Sequence, residues 1–379
     1  MNTGSQLDAA NERKLRCQCP SRGVQLTMTT IKTKAMSGIS RRSLLAALPA
    51  LAFVRGVLAQ SGPALSIEKI NCFELSVADV ARTQAFYQDL FGMQVQGRSG
   101  DRICMRVGEG PAFMAVRKVL PNEKPAITQI GYSVENFDIT AVQAALESRG
   151  YVRIEAPSPA APGLDNANKL WVRMRGETPE LYFSDPRGLI VQLSDTSYCG
   201  GSGELGNVCG APEAAPAGMF SLTEISHFTA FVNDGAGANT YYQELFGLKV
   251  QSYQGPTSPV TGTGDGKQFV MYAGGASENK TPANLNHGCF NMTGFNVDQI
   301  LAKLTEYGLK ARPEAAPGGP PPQAGPLMHY ISLRMPARGG AEGGTPELYF
   351  TDPDGILMQL QDVTYCGGGG YLGNECLAG

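Results

Sequence analysis

The chain has 379 residues, 42% of them hydrophobic, with 31 basic and 34 acidic side chains and a net charge of −3. That is enough apolar material for an ordinary globular core, and it leaves no basic surface of the kind that nucleic acid requires. The length accommodates more than one domain.

Residues 1–59 read as a leader. Ser40-Arg41-Arg42-Ser43-Leu44-Leu45 opens a run of small apolar residues that ends Val57-Leu58-Ala59. This pattern predicts a twin-arginine signal peptide, recognised by the twin-arginine export machinery and cut after Ala59, which would make the mature protein periplasmic or secreted. The stretch before Met36 reads as additional leader. The apolar run is short and contains Arg55, so no permanent membrane anchor is expected.

From there the elements follow in a regular order. An alternating apolar run predicts a strand over 67–77, and Asp79 begins a helix that Gly92 ends as a left-handed cap. Strands are predicted at 93–96, 103–107 and 112–119. The pattern then restarts with a strand at 127–134, a helix at 140–148 ended by Gly150, and strands at 151–155, 170–175, 180–183 and 189–193. Residues 210–220, rich in Ala and Pro, form a linker. A second series begins with a strand at 222–232, a helix at 238–246 capped by Gly247, and strands up to Tyr272. A strand at 286–292 and a helix at 297–307, ended by Gly308, follow. The loops 313–326 and 336–345 are Gly/Pro-rich and longer than their earlier counterparts, which fits loops that cover a site and equally surface insertions with no role.

The two series are copies of one another. Phe86-Tyr87-Gln88-Asp89-Leu90-Phe91-Gly92-Met93 returns as Tyr241-Tyr242-Gln243-Glu244-Leu245-Phe246-Gly247-Leu248, and Glu180-Leu181-Tyr182-Phe183-Ser184-Asp185-Pro186-Arg187-Gly188 as Glu347-Leu348-Tyr349-Phe350-Thr351-Asp352-Pro353-Asp354-Gly355. Each copy closes with Tyr-Cys-Gly-Gly and a second cysteine. Cys199 with Cys209, and Cys366 with Cys376, therefore stand at identical spacing. In an oxidising compartment such pairs read as one disulfide each; in the cytosol each would offer two ligands for zinc. Cys72, Cys104 and Cys289 lie in apolar runs and read as buried thiols.

Paired βαβββ modules with these helix ends and D-P-x-G turns resemble the vicinal oxygen chelate superfamily, which includes glyoxalase I and the extradiol dioxygenases. The stretch from Leu348 to Gln359 is similar to the signature of type I extradiol dioxygenases, which also carry a degenerate N-terminal unit and an active C-terminal one. The resemblance implies an α+β fold of two tandem domains, 66–209 and 221–379, each with mixed sheets curled around a cup that holds a divalent metal.

Carried onto this chain, the metal positions fall on His227, His287 and Gln359, and in the first copy on Cys72, Gln129 and Gln192. The chain has only three histidines, and two of them sit at these positions. The first unit is therefore expected to be structural. The implied metal is Fe(II) or Mn(II), with zinc as a further option. The family's third ligand is a glutamate, so Gln359 departs from the pattern and removes a charge from the expected ligand set.

Tyr349 falls where the signature places a tyrosine that hydrogen-bonds substrate, although Tyr182 holds the same place in the first copy, which fits packing equally. His329 is a candidate acid/base group brought back by the long loop. Arg334 is a candidate carboxylate clamp, with a structural role as the other reading because Arg175 matches it. The leading expectation is a metal-dependent extradiol-type dioxygenase acting on a small substrate with adjacent oxygens. A glyoxalase-like lyase or isomerase and a metal-free small-molecule binding protein are the alternatives. A homo-oligomer is open, since the units can complete their own cups or exchange modules with a partner.

Overall fold

The computed structural model describes residues 64–157, 167–264, 267–275, 282–316 and 320–377. The expected leader and export signal lie outside them. No helix among the described residues is long and apolar enough to cross a membrane.

In the first half, β1 (Ile67–Val77), α1 (Val80–Phe91), β2 (Val95–Ser99), β3 (Arg102–Arg106) and β4 (Phe113–Lys118) form one module. β5 (Ala126–Val134), α2 (Ile139–Glu147), β6 (Val152–Arg153), β7 (Lys169–Arg175), β8 (Thr178–Ser184) and β9 (Ile190–Asp195) form the next. The second half repeats them as β10 (Leu222–Phe231), α3 (Gly235–Phe246), β11 (Lys249–Tyr253), β12 (Pro259–Gly262), β13 (Phe269–Ala273), β14 (Asn284–Met292), α4 (Val297–Tyr307), β15 (Lys310–Ala311), β16 (Met328–Arg334), β17 (Thr345–Thr351) and β18 (Leu357–Asp362).

Each helix starts on a side chain that satisfies a free backbone donor. Asp79 accepts from the Arg82 N–H, and Asp138, Asp234 and Asn296 do the same for their helices. Gly92 ends α1 at φ 64° and also packs on the backbone of Gly218, so a side chain there would be both strained and crowded. The strand expected at 151–155 contracts to the two residues of β6, because that segment pairs only with the end of β7.

Strand order repeats as well. β1 pairs in parallel with β4 and antiparallel with β5, which runs parallel to β9; β10, β13, β14 and β18 are joined in the same way. The resulting orders are β2-β3-β4-β1-β5-β9-β8-β7-β6 and β11-β12-β13-β10-β14-β18-β17-β16-β15. They touch through the pairing of Leu285 with Ile127. This is a sheet-dominated α+β fold with mixed sheets and, among the described residues, four α-helices.

The halves nevertheless share one core, and residues 60–379 form one compact unit rather than two. The reason is where the helices lie. Phe86 of α1 meets Tyr307 and Phe350 of the second half, while Phe246 of α3 meets Tyr132 and Phe183 of the first. Phe73 and Phe228, on the two opening strands, pack edge to face at 5.1 Å between them. The D-P-x-G turns reach across too: Asp354 pairs with Arg82 and accepts from the Ala78 N–H, and Arg187 faces Asp234 at the start of α3.

Both expected disulfides are present, Cys199–Cys209 and Cys366–Cys376, and Cys72, Cys104 and Cys289 are free and buried.

Candidate functional site

The second half curls its sheet around a cavity of about 300 Å³, lined from β10, β13, β14, β16, β17 and β18. A larger groove of about 740 Å³ runs between the halves past Lys69 and Lys249, but none of the three histidines lines it.

His227 and His287 face the smaller cavity because β10 and β14 are neighbours and the two residues fall on its concave side. His227 stands opposite Cys289, and His287 opposite Thr229. Their rings lie 5.7 Å apart at 85°. Gln359 joins them from β18, which runs parallel to β14 with Gln359 beside Cys289. His227 Nε2 lies 3.1 Å from Gln359 Oε1, and His287 lines the same cavity. The Gln359 Nε2 atom is buried without a partner, so the amide is held by its oxygen alone.

Burial keeps both imidazoles neutral. It pushes His227 well below the ordinary value, against the hydrogen bond that its ring donates to Gln359 Oε1, and His287 down to about 4. Each ring also has a partner on its far nitrogen. His287 Nδ1 donates to Asn286 Oδ1 at 2.9 Å, which leaves Nε2 as a bare lone pair aimed into the cavity. Ser226 Oγ lies 3.2 Å from His227 Nδ1 and can donate or accept. His227 can therefore offer N–H to Gln359 or turn over its tautomer and present a lone pair.

With His227 turned to present its lone pair, two imidazole nitrogens and an amide oxygen on one cavity wall are a donor set that fits a divalent ion. Among the described residues no three His, Cys, Asp or Glu side chains gather as ligands, since the third donor here is an amide. Asn286 is the partner that fixes the His287 donor atom. Asn286→Ala is expected to weaken Mn(II) binding about 10- to 100-fold with the fold unchanged, measured by calorimetry.

The walls are aromatic. The Phe269 ring stacks on His227 at 4.4 Å, with Tyr365 beside it at 5.4 Å. Tyr349 stands edge-on to His287 at 5.3 Å and stacks on Tyr330 at 5.0 Å. Burial raises the Tyr349 phenol, as does the nearby Glu347, so it stays protonated and donates to Glu347 Oε2 at 3.2 Å.

Two expected residues are placed elsewhere. His329 points out of the cup: its Nε2 lies 2.9 Å from Thr305 Oγ1 on α4. Side chains alternate along β16, so it is the neighbouring Tyr330 that lines the cavity. Arg334 is fully buried behind the wall, where it donates to Glu347 Oε1 and to the carbonyls of Arg338, Gly339 and Gly368. It positions the site's surroundings and has no atom free for a ligand. Residues that the sequence reading did not single out include Asn286, Thr229, Glu347, Arg312 and Arg338. Comparing the copies would have found several of them.

That comparison explains why only one cup is open. Register places Glu74, Arg102, Arg117 and Trp171 where the second half has Thr229, Ser258, Ala273 and Tyr330. In the first half Glu74 accepts from Arg102 and Arg117, each at 2.8 Å. Burial opposes the Glu74 charge, but these two cations hold its carboxyl below the usual range. The ion cluster fills the cup. At its base Gln192 Oε1 accepts from Gln129 at 3.2 Å and from the Cys72 thiol at 3.7 Å. Gln192 thus plays the part of Gln359 with no imidazole beside it.

Solved structures with the same fold were found. A variant of homoprotocatechuate 2,3-dioxygenase from Brevibacterium fuscum matches with a TM-score of 0.54 at 17% identity, over 80% of this chain and 74% of that one. The enzyme of that name from Arthrobacter globiformis gives 0.52 at 18% identity, over 79% and 82%. The Mn(II)-bound glyoxalase from Novosphingobium aromaticivorans gives 0.51 at 16% identity, over 78% and 82%. At these identities the likeness establishes a fold shared with these dioxygenase and glyoxalase structures. No family model and no curated protein matches the chain.

Proposed function

We propose that the protein is a metal-dependent enzyme of the extradiol dioxygenase type, acting on a small molecule with adjacent oxygens. One observation carries the reading: His227, His287 and Gln359 converge at the floor of an open, aromatic-walled cavity, while the matching cup of the first half is filled. His227, His287 and Gln359 would hold Fe(II) or Mn(II). Such an ion, when bound, supplies Lewis acidity and a path for electrons between substrate and oxygen.

The chain's own residues do the rest. Phe269, Tyr330 and Tyr365 form flat apolar walls that suit a planar substrate and exclude water. Thr229 places a hydroxyl inside the cavity, and the Tyr349 oxygen is able to accept a hydrogen bond from a substrate hydroxyl while donating to Glu347. Buried His227 and His287 stay unprotonated, as ligands must. The two stapled loops support a place outside the cytoplasm, in the periplasm or the medium, and we extend the proposal to that location.

A second reading has its own support. Gln359 supplies no charge and already bonds His227, so the cup is closed on itself without an ion, as in a metal-free binding protein. Oxygen uptake with Fe(II)-loaded protein and a panel of catechols separates the readings. Uptake that is lost in His287→Ala is expected. Turnover that persists without oxygen would move the assignment to a glyoxalase-like lyase, and tight binding with no turnover would move it to the binding protein.

A further inference from the structure

The charge around this cavity is unbalanced in one direction. Glu347 is its one lining carboxylate among the described residues, and Arg334 and Tyr349 already occupy it. Arg312 and Arg338 also line the cavity, and neither has an ion-pair partner among the described residues. Arg312 lies flat on the Tyr330 ring, 3.5 Å from its centroid, which fixes the guanidinium plane at the cavity wall. Its face is used, and among the described residues its N–H fork has no partner.

Arg338 reaches the mouth by a different route. In the first half two residues, Gly176 and Glu177, turn β7 into β8. In the second half the same hairpin, between Arg334 and Thr345, spans the ten residues 335–344. Arg338 sits in the short 3₁₀ turn (Pro336–Arg338) of this insertion. Buried Arg334 pins the turn from below through the carbonyls of Arg338 and Gly339. The filled cup has the short hairpin and the open cup has the long one.

From this we infer that Arg312 and Arg338 form a recognition site for an anionic substituent, so that the cavity takes an aromatic ligand carrying a carboxylate or similar acid group remote from the histidines. The inference rests on the functional reading above only for which cavity is the substrate's. The replacement of an acidic ligand by Gln359 works in the same direction. Two neutral imidazoles and a neutral amide would bring no charge of their own to a bound cation, which leaves room for a negatively charged ligand. Two guanidinium forks are suited to a carboxylate, which they bind through paired charge-assisted hydrogen bonds.

The test uses two probes of equal shape, 4-hydroxyphenylacetate and the neutral 4-hydroxyphenylacetamide, titrated calorimetrically into the mature protein. The acid is expected to bind at least about tenfold more tightly than the amide at low salt, with the preference shrinking as salt is raised. Arg312→Gln and Arg338→Gln should each reduce the preference and the double variant should abolish it; both residues are partly or fully exposed, so folding is not at stake. Equal affinity for the two probes, no binding of either, or a preference unchanged in the double variant would overturn the inference. His227→Ala, titrated with the same pair, keeps the two questions apart: loss of metal binding with the acid preference intact bears on the metal reading alone.

Discussion

Replacing Gln359 with glutamate is expected to tighten Fe(II) or Mn(II) binding at least about tenfold, and at the same time to destabilise the metal-free protein. Both effects follow from one added charge. An amide oxygen offers a dipole to the ion, whereas a carboxylate offers a full charge in a buried site where attraction is weakly screened. Without metal, that carboxylate would sit at a position 1% exposed, beside two imidazoles held neutral by burial. Leaving a charge there costs about 3 kcal/mol or more. Thermal melts with and without Mn(II) read both halves of the prediction. Gln359→Glu should melt below the wild type when stripped and gain more from added metal. A variant that gains no more than wild type would show that Gln359 is not in the coordination sphere.

The second large effect is expected at Arg334. Its guanidinium is fully buried and makes an ion pair with Glu347 at 2.9 Å as well as bonds to three carbonyls. Removing one partner of a buried pair strands the other, so Arg334→Ala should lower stability by about 3–5 kcal/mol. It should also free the hairpin that carries Arg338 and take away the group that orients Glu347 toward Tyr349. Arg334→Met combined with Glu347→Gln removes both charges and should recover much of the loss in chemical denaturation. A single variant as stable as wild type would mean that this network is not what joins β16, β17 and the insertion.

How much of this was legible beforehand differs by element. The repeat announced itself because the helix ends and D-P-x-G turns are local signals: Asp79 and Asp234 cap, Gly92 and Gly247 terminate, and both copies use them. His227, His287 and Gln359 could be placed because strand register carries a motif position directly to a cup position. His329 could not, since a loop that brings a residue back to a site leaves no periodic trace, and the strand that follows that loop turns His329 outward. Arg334 was readable as matching Arg175, but its burial beneath the insertion was not. The repeat reads as two tandem domains, and the packing that joins the halves in one core was not legible in it. Chain repeats suggest separate cores, whereas Phe86 and Phe246 each cross to the opposite half, and side-chain exchange of that kind is a tertiary fact. The filling of the first cup was in the sequence throughout, in Glu74 against Thr229 and Arg102 against Ser258, and only the registers showed that these pairs correspond.

The measurement that bears most directly on the central claim is the metal content of the protein without a histidine tag, purified anaerobically, reconstituted with Fe(II) or Mn(II) and desalted. The account predicts about one equivalent per chain, lost in His227→Ala but kept in His329→Ala, whose ring faces α4. No retained metal in the wild type, or an equal amount in His227→Ala, would contradict it.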